Sequence, residues 1–222
     1  MDIRYLFRGI LAGCCISIGG TIFLKVGGVA GAVLFAIGLI AVVSLKLNLF
    51  TGKAQFVWRP HFQNALSEGG YAWLAGILLA NIIGCAAMAL LVSTPEMQAS
   101  AEAVITKRLA NSAWMNGLLS IGCGFLMTLA VQGYARNTWV PLLFAVPAFI
   151  LCGFPHCVAD AFYICSTSCG YLAAHLAEVL TFYAAIVVGN FLGCNAYRLV
   201  NPAAVIPGAN PLPAEDEDAV AS

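Results

Sequence analysis

The chain has 222 residues, 61% of them hydrophobic and 9% charged, with a formal net charge of zero and a mean hydropathy of +0.91. A soluble domain of this length needs a far more charged surface, so the composition excludes one and indicates a polytopic membrane protein. The zero net charge says nothing by itself; its distribution along the chain does.

At about 20 residues per crossing, six apolar spans follow one another, at about 5–24, 28–50, 70–93, 112–134, 138–154 and 171–199. The first is too long, and too poorly supplied with a cleavage site, for a removable signal peptide. Its Gly9 and Gly13 form a small-xxx-small pair that permits close helix approach. The second span runs into Leu49-Phe50-Thr51-Gly52 and the fifth into Gly153-Phe154-Pro155-His156. Both peptides place polar or helix-breaking residues, Gly52, Gly153 and Pro155 among them, where lipid tolerates none. Non-helical backbone at membrane depth survives only when protein buries it or it lines an aqueous cavity, because an unmet backbone group costs several kcal/mol in hydrocarbon. Two broken spans with short half-helices after them therefore point to a pore.

The third and sixth spans carry Asn81 and Asn190, each three residues before a glycine, and each expected to tie neighbouring helices together. The first and fourth share small-residue stretches, Leu11-Ala12-Gly13-Cys14-Cys15 and Ser120-Ile121-Gly122-Cys123-Gly124. Three spans per copy is odd, so the second copy enters from the opposite side. The expected fold is thus an all-α membrane protein of two inverted three-helix repeats, with a transport site where the broken helices meet. Residues 1–200 form one channel domain, and 201–222, with Glu215-Asp216-Glu217-Asp218, form a solvated cytoplasmic tail.

Arg4, Arg8, Lys53, Arg59, Arg136 and Arg198 fall at one set of span ends, against Lys25, Lys107 and Arg108 at the other. By the positive-inside rule both termini are cytoplasmic. Of the nine cysteines, Cys14, Cys15, Cys85, Cys123, Cys152 and Cys194 sit in apolar runs as small hydrophobes, without metal-ligand spacing. Cys165 and Cys169, four apart, suit a disulfide if their compartment is oxidising. No cofactor site, metal site or nucleic-acid motif is visible.

Taken together, these motifs resemble the formate/nitrite transporter family. Phe35-Ala36-Ile37-Gly38-Leu39 running to Leu49-Phe50-Thr51-Gly52 is similar to its Phe and Leu ahead of an LFT loop. Phe149 to Asp160, through Gly153-Phe154-Pro155-His156-Cys157-Val158-Ala159, resembles its G-F-E-H-S-x-A-N segment, and Lys107 lies near its lysine ahead of the fourth span. The resemblance covers residues 4–200 and implies an aquaporin-like subunit, a homopentamer in a bacterial inner membrane, and passage of small monovalent anions or their conjugate acids. It also implies a pore constricted by Phe35, Leu39 and Phe149 on one side and by Leu49 and Phe50 on the other. Four positions depart from the family pattern: Pro155 for Glu, Asp160 for Asn, Gly124 for Asn, and Lys46 for a small residue.

His156 is the one histidine that the spans bury; His61 falls in a connection and His175 near a span end. An ionisable residue within a membrane is by default a pathway residue. Carrying a bare charge to the bilayer centre costs about 3 to 17 kcal/mol, whereas protonating an acid of pKa roughly 4 at pH 7 costs about 4 kcal/mol. The neutral acid is the cheaper traveller. The expected mechanism has Lys107 and Arg108 gather anions, Thr51 and His156 hydrogen-bond the substrate, and a proton from His156 or water neutralise it.

Asp160, four residues after His156, is expected either to orient the imidazole or to bond backbone or a neighbouring subunit. Lys46 pairs with Asp160, lines a vestibule or snorkels to the surface. An enzyme built on Cys157, His156 and Asp160 is excluded, because three residues so close on one helix cannot converge as a triad. Formate leads the substrates, with nitrite, hydrosulfide, acetate and lactate beside it. A neutral-solute pore is the reading from another class, although the paired Asn-Pro-Ala boxes expected of one are missing.

Overall fold

In a computed structural model, which describes residues 3–56 and 70–197, all regular structure is helical. The helices are α1 (Ile3–Val26), α2 (Gly28–Ser44), α3 (Phe50–Lys53, continued by a 3-10 turn to Phe56), α4 (Tyr71–Leu91) and α5 (Pro95–Leu109). They are followed by α6 (Ala113–Ala135), α7 (Val140–Leu151), α8 (Cys157–Cys165), α9 (Cys169–Ala174) and α10 (Leu176–Asn195). Among the described residues α1, α4, α6 and α10 are long and apolar enough to cross a membrane. The apolar α2 and α7 have only 17 and 12 residues, and at 1.5 Å per residue they fall short of a hydrocarbon core of about 30 Å.

The helices of the second and fifth apolar stretches end earlier than the sequence suggests, at Ser44 and Leu151, short of residues 50 and 154. The stops are the same motif. Lys46 (φ 52) and Gly153 (φ 70) take the left-handed conformation. The next amides, Leu47 N–H and Phe154 N–H, return to the carbonyls of Val42 and Phe149, each at 2.9 Å. This is the closing bond of a helix end with a left-handed residue after its last turn, a place that favours glycine. The lysine at the first break holds it at a steric cost of about 1–2 kcal/mol.

Packing joins α1 to α2 and α4, and α6 to α7 and α10, while the short α3 and α8 lie against partners from both sets. The α1/α4 and α6/α10 pairs are in backbone contact. A Cβ added at Gly13 would lie 2.1 Å from the Asn81 carbonyl oxygen, and one at Gly124 would lie 2.2 Å from that of Asn190. Gly9 and Gly13 therefore serve packing within the subunit, Gly9 facing Ala80.

Three local features differ from expectation. The connection before the fourth span is the helix α5, started by Thr94, whose hydroxyl accepts the Met97 amide, and by Pro95 in the first turn. The sixth span is divided at His175 into α9 and α10. Cys165 and Cys169 are free thiols, one ending α8 and the other opening α9. His61, Arg59, Arg198 and the 201–222 tail lie outside the described residues.

Candidate functional site

Each break leaves backbone groups unpaired inside the protein, and one asparagine meets them. Asn81 Nδ2 donates to the carbonyls of Gly9 and Asn48, both at 2.8 Å, and its Oδ1 accepts the Phe50 amide at 2.9 Å. Asn190 Nδ2 donates to Ser120 (2.8 Å) and Pro155 (3.0 Å), and its Oδ1 accepts the Cys157 amide at 2.8 Å. Phe50 and Cys157 are the first residues of α3 and α8, so both asparagines also cap a helix start. Asn81 thus bonds α4 to α1 and Asn190 bonds α10 to α6, and each asparagine also holds the backbone beside the start of a short helix.

Two thiols extend the pattern across the molecule. Cys85, four residues after Asn81, donates to the Val158 carbonyl of α8 at 3.4 Å, and Cys194, four after Asn190, donates to the Thr51 carbonyl of α3 at 3.3 Å. Sequence reasoning treated both as packing groups. Their identical offset from the asparagines was the available signal.

Between the short helices Thr51 Oγ1 and His156 Nε2 stand 3.0 Å apart, both residues buried. His156 is the residue before α8, and its Nδ1 accepts the Ala159 amide at 3.2 Å. A backbone N–H only donates, so Nδ1 carries no hydrogen in this arrangement and the ring proton is on Nε2, directed at the Thr51 oxygen. Asp160 returns the favour: its Oδ2 accepts the His156 amide at 2.8 Å. The carboxylate thus holds the histidine backbone rather than its ring, because the reciprocal cap turns the two side chains apart.

The other Asp160 oxygen accepts Arg108 Nε at 3.1 Å, and Arg108 Nη1 donates to the Gly153 carbonyl. Arg108, not Lys46, is the partner of Asp160. Lys46 is exposed at the end of α2. Arg108 also bonds the break at Gly153, and its neighbour on α5, Lys107, is exposed.

A vestibule of about 150 Å³ opens on this side, lined by Lys107 and Arg108 near Gly153 and by Phe149, His156 and Asp160. The Phe149 ring stacks on His156 with centroids 5.5 Å apart and meets Phe35 edge-on at 6.1 Å. Leu39, Leu49 and Phe50 are buried in the same apolar core but do not line this cavity. Thr51 lies behind His156 as seen from the vestibule. Near Thr51, Gln55 Nε2 donates to the Gly52 carbonyl at 3.2 Å and Gln55 Oε1 accepts Gln132 Nε2 at 2.7 Å, a polar patch that the sequence did not single out. Pro155 sits in the second break with its carbonyl on Asn190. Among the described residues no three metal-ligating side chains converge.

Comparison with known proteins agrees with this architecture. The model of the formate/nitrite transporter family matches residues 3–200. An uncharacterized transporter of Bacillus subtilis, YrhG, is 29% identical over 187 residues, covering 72% of this chain and 69% of that protein. A pentameric formate channel with formate bound superposes with a TM-score of 0.74 at 19% identity, over 89% of this chain and 94% of the other. An FNT family ion channel gives 0.74 at 21% identity, over 88% and 87%. With the family matched over nearly its whole length, the chain is an integral membrane protein that belongs to the formate/nitrite transporters, a family of transporters and not of enzymes.

Proposed function

We propose that this protein is a channel for small monovalent weak-acid anions, formate first and nitrite next, which cross its centre as the neutral acid. The observation that carries this is the Thr51–His156 contact at the blind end of a cationic vestibule, supplied by two short helices from opposite halves. An anion drawn in by Lys107 reaches the ring and takes the Nε2–H hydrogen bond now made to Thr51. Because Nδ1 is occupied by the Ala159 amide, the ring does not spare a second proton. The substrate is protonated from vestibule water: HCOO⁻ and H₃O⁺ give HCOOH and H₂O. The neutral acid then passes Thr51 and the apolar side chains of Leu49 and Phe50, and ionises beyond them.

The six-span inverted repeat is supported by the residue-for-residue match of the two breaks, in their closing bonds, asparagine partners and cross-half thiols. A homopentameric assembly is supported by similarity to the pentameric formate channel. Placement in a bacterial cytoplasmic membrane with both termini inside rests on the basic residues at one set of span ends.

Uptake of labelled formate and nitrite into proteoliposomes at two pH values tests this. Wild-type uptake rises as external pH falls, and His156→Phe abolishes it while preserving the folded oligomer. Unaltered uptake by that variant rejects the role of the imidazole.

A further inference from the structure

We infer that Arg108 sets anion selectivity in the vestibule: its guanidinium offers planar, directed donors to a two-oxygen anion, a carboxylate or nitrite, and disfavours anions that accept through a single atom. This inference rests on the channel reading above and specifies its substrate class.

Arg108 is gripped on two edges. Nε donates to Asp160 Oδ1 at 3.1 Å and Nη1 to the Gly153 carbonyl, so the plane of the group is fixed by the break itself. Its side chain keeps 17% of its surface accessible against 1% for Asp160, and it lines the same cavity as His156. Nη2 has no hydrogen-bond partner among the described residues. The remaining N–H groups are therefore a preset fork at the wall of a chamber of about 150 Å³, room for an anion of a few heavy atoms.

Charge and geometry are divided between neighbours. Asp160 balances the Arg108 charge, so Arg108 contributes little net attraction and chiefly direction. Lys107, exposed at the rim, is a point charge on a flexible stem and draws in any anion. A guanidinium matches the two oxygens of a carboxylate with parallel bonds, which an ammonium cannot reproduce. Formate and nitrite both present two oxygens in a plane. Fluoride, whose conjugate acid is of similar strength, presents one atom.

The test is competition for labelled formate uptake in proteoliposomes made with the purified full chain. For wild type, nitrite half-inhibits at a concentration about tenfold or more below that of fluoride, the size expected for one charge-assisted hydrogen bond. Arg108→Lys keeps the charge and loses the fork; the ratio falls to within about twofold while uptake persists. Lys107→Gln raises both half-inhibiting concentrations by the same factor and preserves the ratio. The inference is overturned by a wild-type ratio near one, by an unchanged ratio in Arg108→Lys, or by a ratio that collapses in Lys107→Gln. If Arg108→Lys does not fold, the wild-type ratio and Lys107→Gln still decide. Wild-type liposomes that take up neither formate nor nitrite refute the channel reading itself, whereas uptake without discrimination refutes only the fork.

Discussion

The amide of Ala159 points at Nδ1 of His156 from 3.2 Å, so the central ring of this protein is also the cap of a helix. On the proposed function capping and transport share one imidazole, and the cap decides which nitrogen keeps the proton. With ¹⁵N-labelled histidine, the neutral His156 ring should show a protonated Nε2 and a bare Nδ1. A hydrogen found on Nδ1 would mean that the helix start is held in some other way.

Asp160 is buried, with one oxygen on the His156 amide and the other on Arg108. Asp160→Ala leaves both donors unmatched, and breaking such a buried pair costs about 3 kcal/mol or more. Unfolding of the purified protein in detergent should show that loss. In the double variant with Arg108→Leu much of it should return, because no unpaired charge remains. Equal stability of the two variants would show that the arginine is solvated without its partner.

Each central asparagine serves three backbone groups. A buried group left unsatisfied costs about 1–3 kcal/mol, so Asn81→Ala and Asn190→Ala should each destabilise by about 3 kcal/mol or more, and by similar amounts. Thermal unfolding of the two variants side by side checks this. A variant with wild-type stability would remove its asparagine from the account of the break.

Cys123 and Cys194 are both completely buried, but Cys194 also donates to the carbonyl of Thr51. Cys194→Ala should therefore reduce formate uptake several-fold by loosening the Thr51 hydroxyl from His156, while Cys123→Ala, at similar cost in packing, leaves uptake near wild type. Flux normalised to folded protein separates the two. Equal flux in both variants would make the Cys194 contact incidental.

Most of the frame was readable in the chain because its signals are chemical extremes. Asparagines inside apolar runs have to find partners, but glycine and proline were uneven guides to the breaks: Gly153 and Pro155 lie in the second one, whereas Gly52 lies inside α3, Pro147 inside α7, and Lys46 takes the left-handed position of the first break. The helix α5 went unread because residues 94–111 carry too little apolar content to register as a span, although Thr94-Pro95 is an ordinary helix start. Which of the neighbours Lys107 and Arg108 bonds the break turns on a rotation of about 100° per residue, which spacing does not fix without knowing the face that packs. Likewise the separation of Asp160 from the imidazole depended on a cap that only the local backbone reveals.

The two breaks match in their hydrogen bonds but not in the side chains they aim inward. By that correspondence His156 stands where the other half has Leu49, and Thr51 where it has Val158. On the proposed path a substrate from the α5 face meets guanidinium and imidazole first; one from the opposite face meets Phe50, Leu49 and the Thr51 hydroxyl before any ring nitrogen. A scaffold with mirrored wiring and one-handed chemistry is an asymmetric resistor, so formate currents driven by equal and opposite gradients should be unequal.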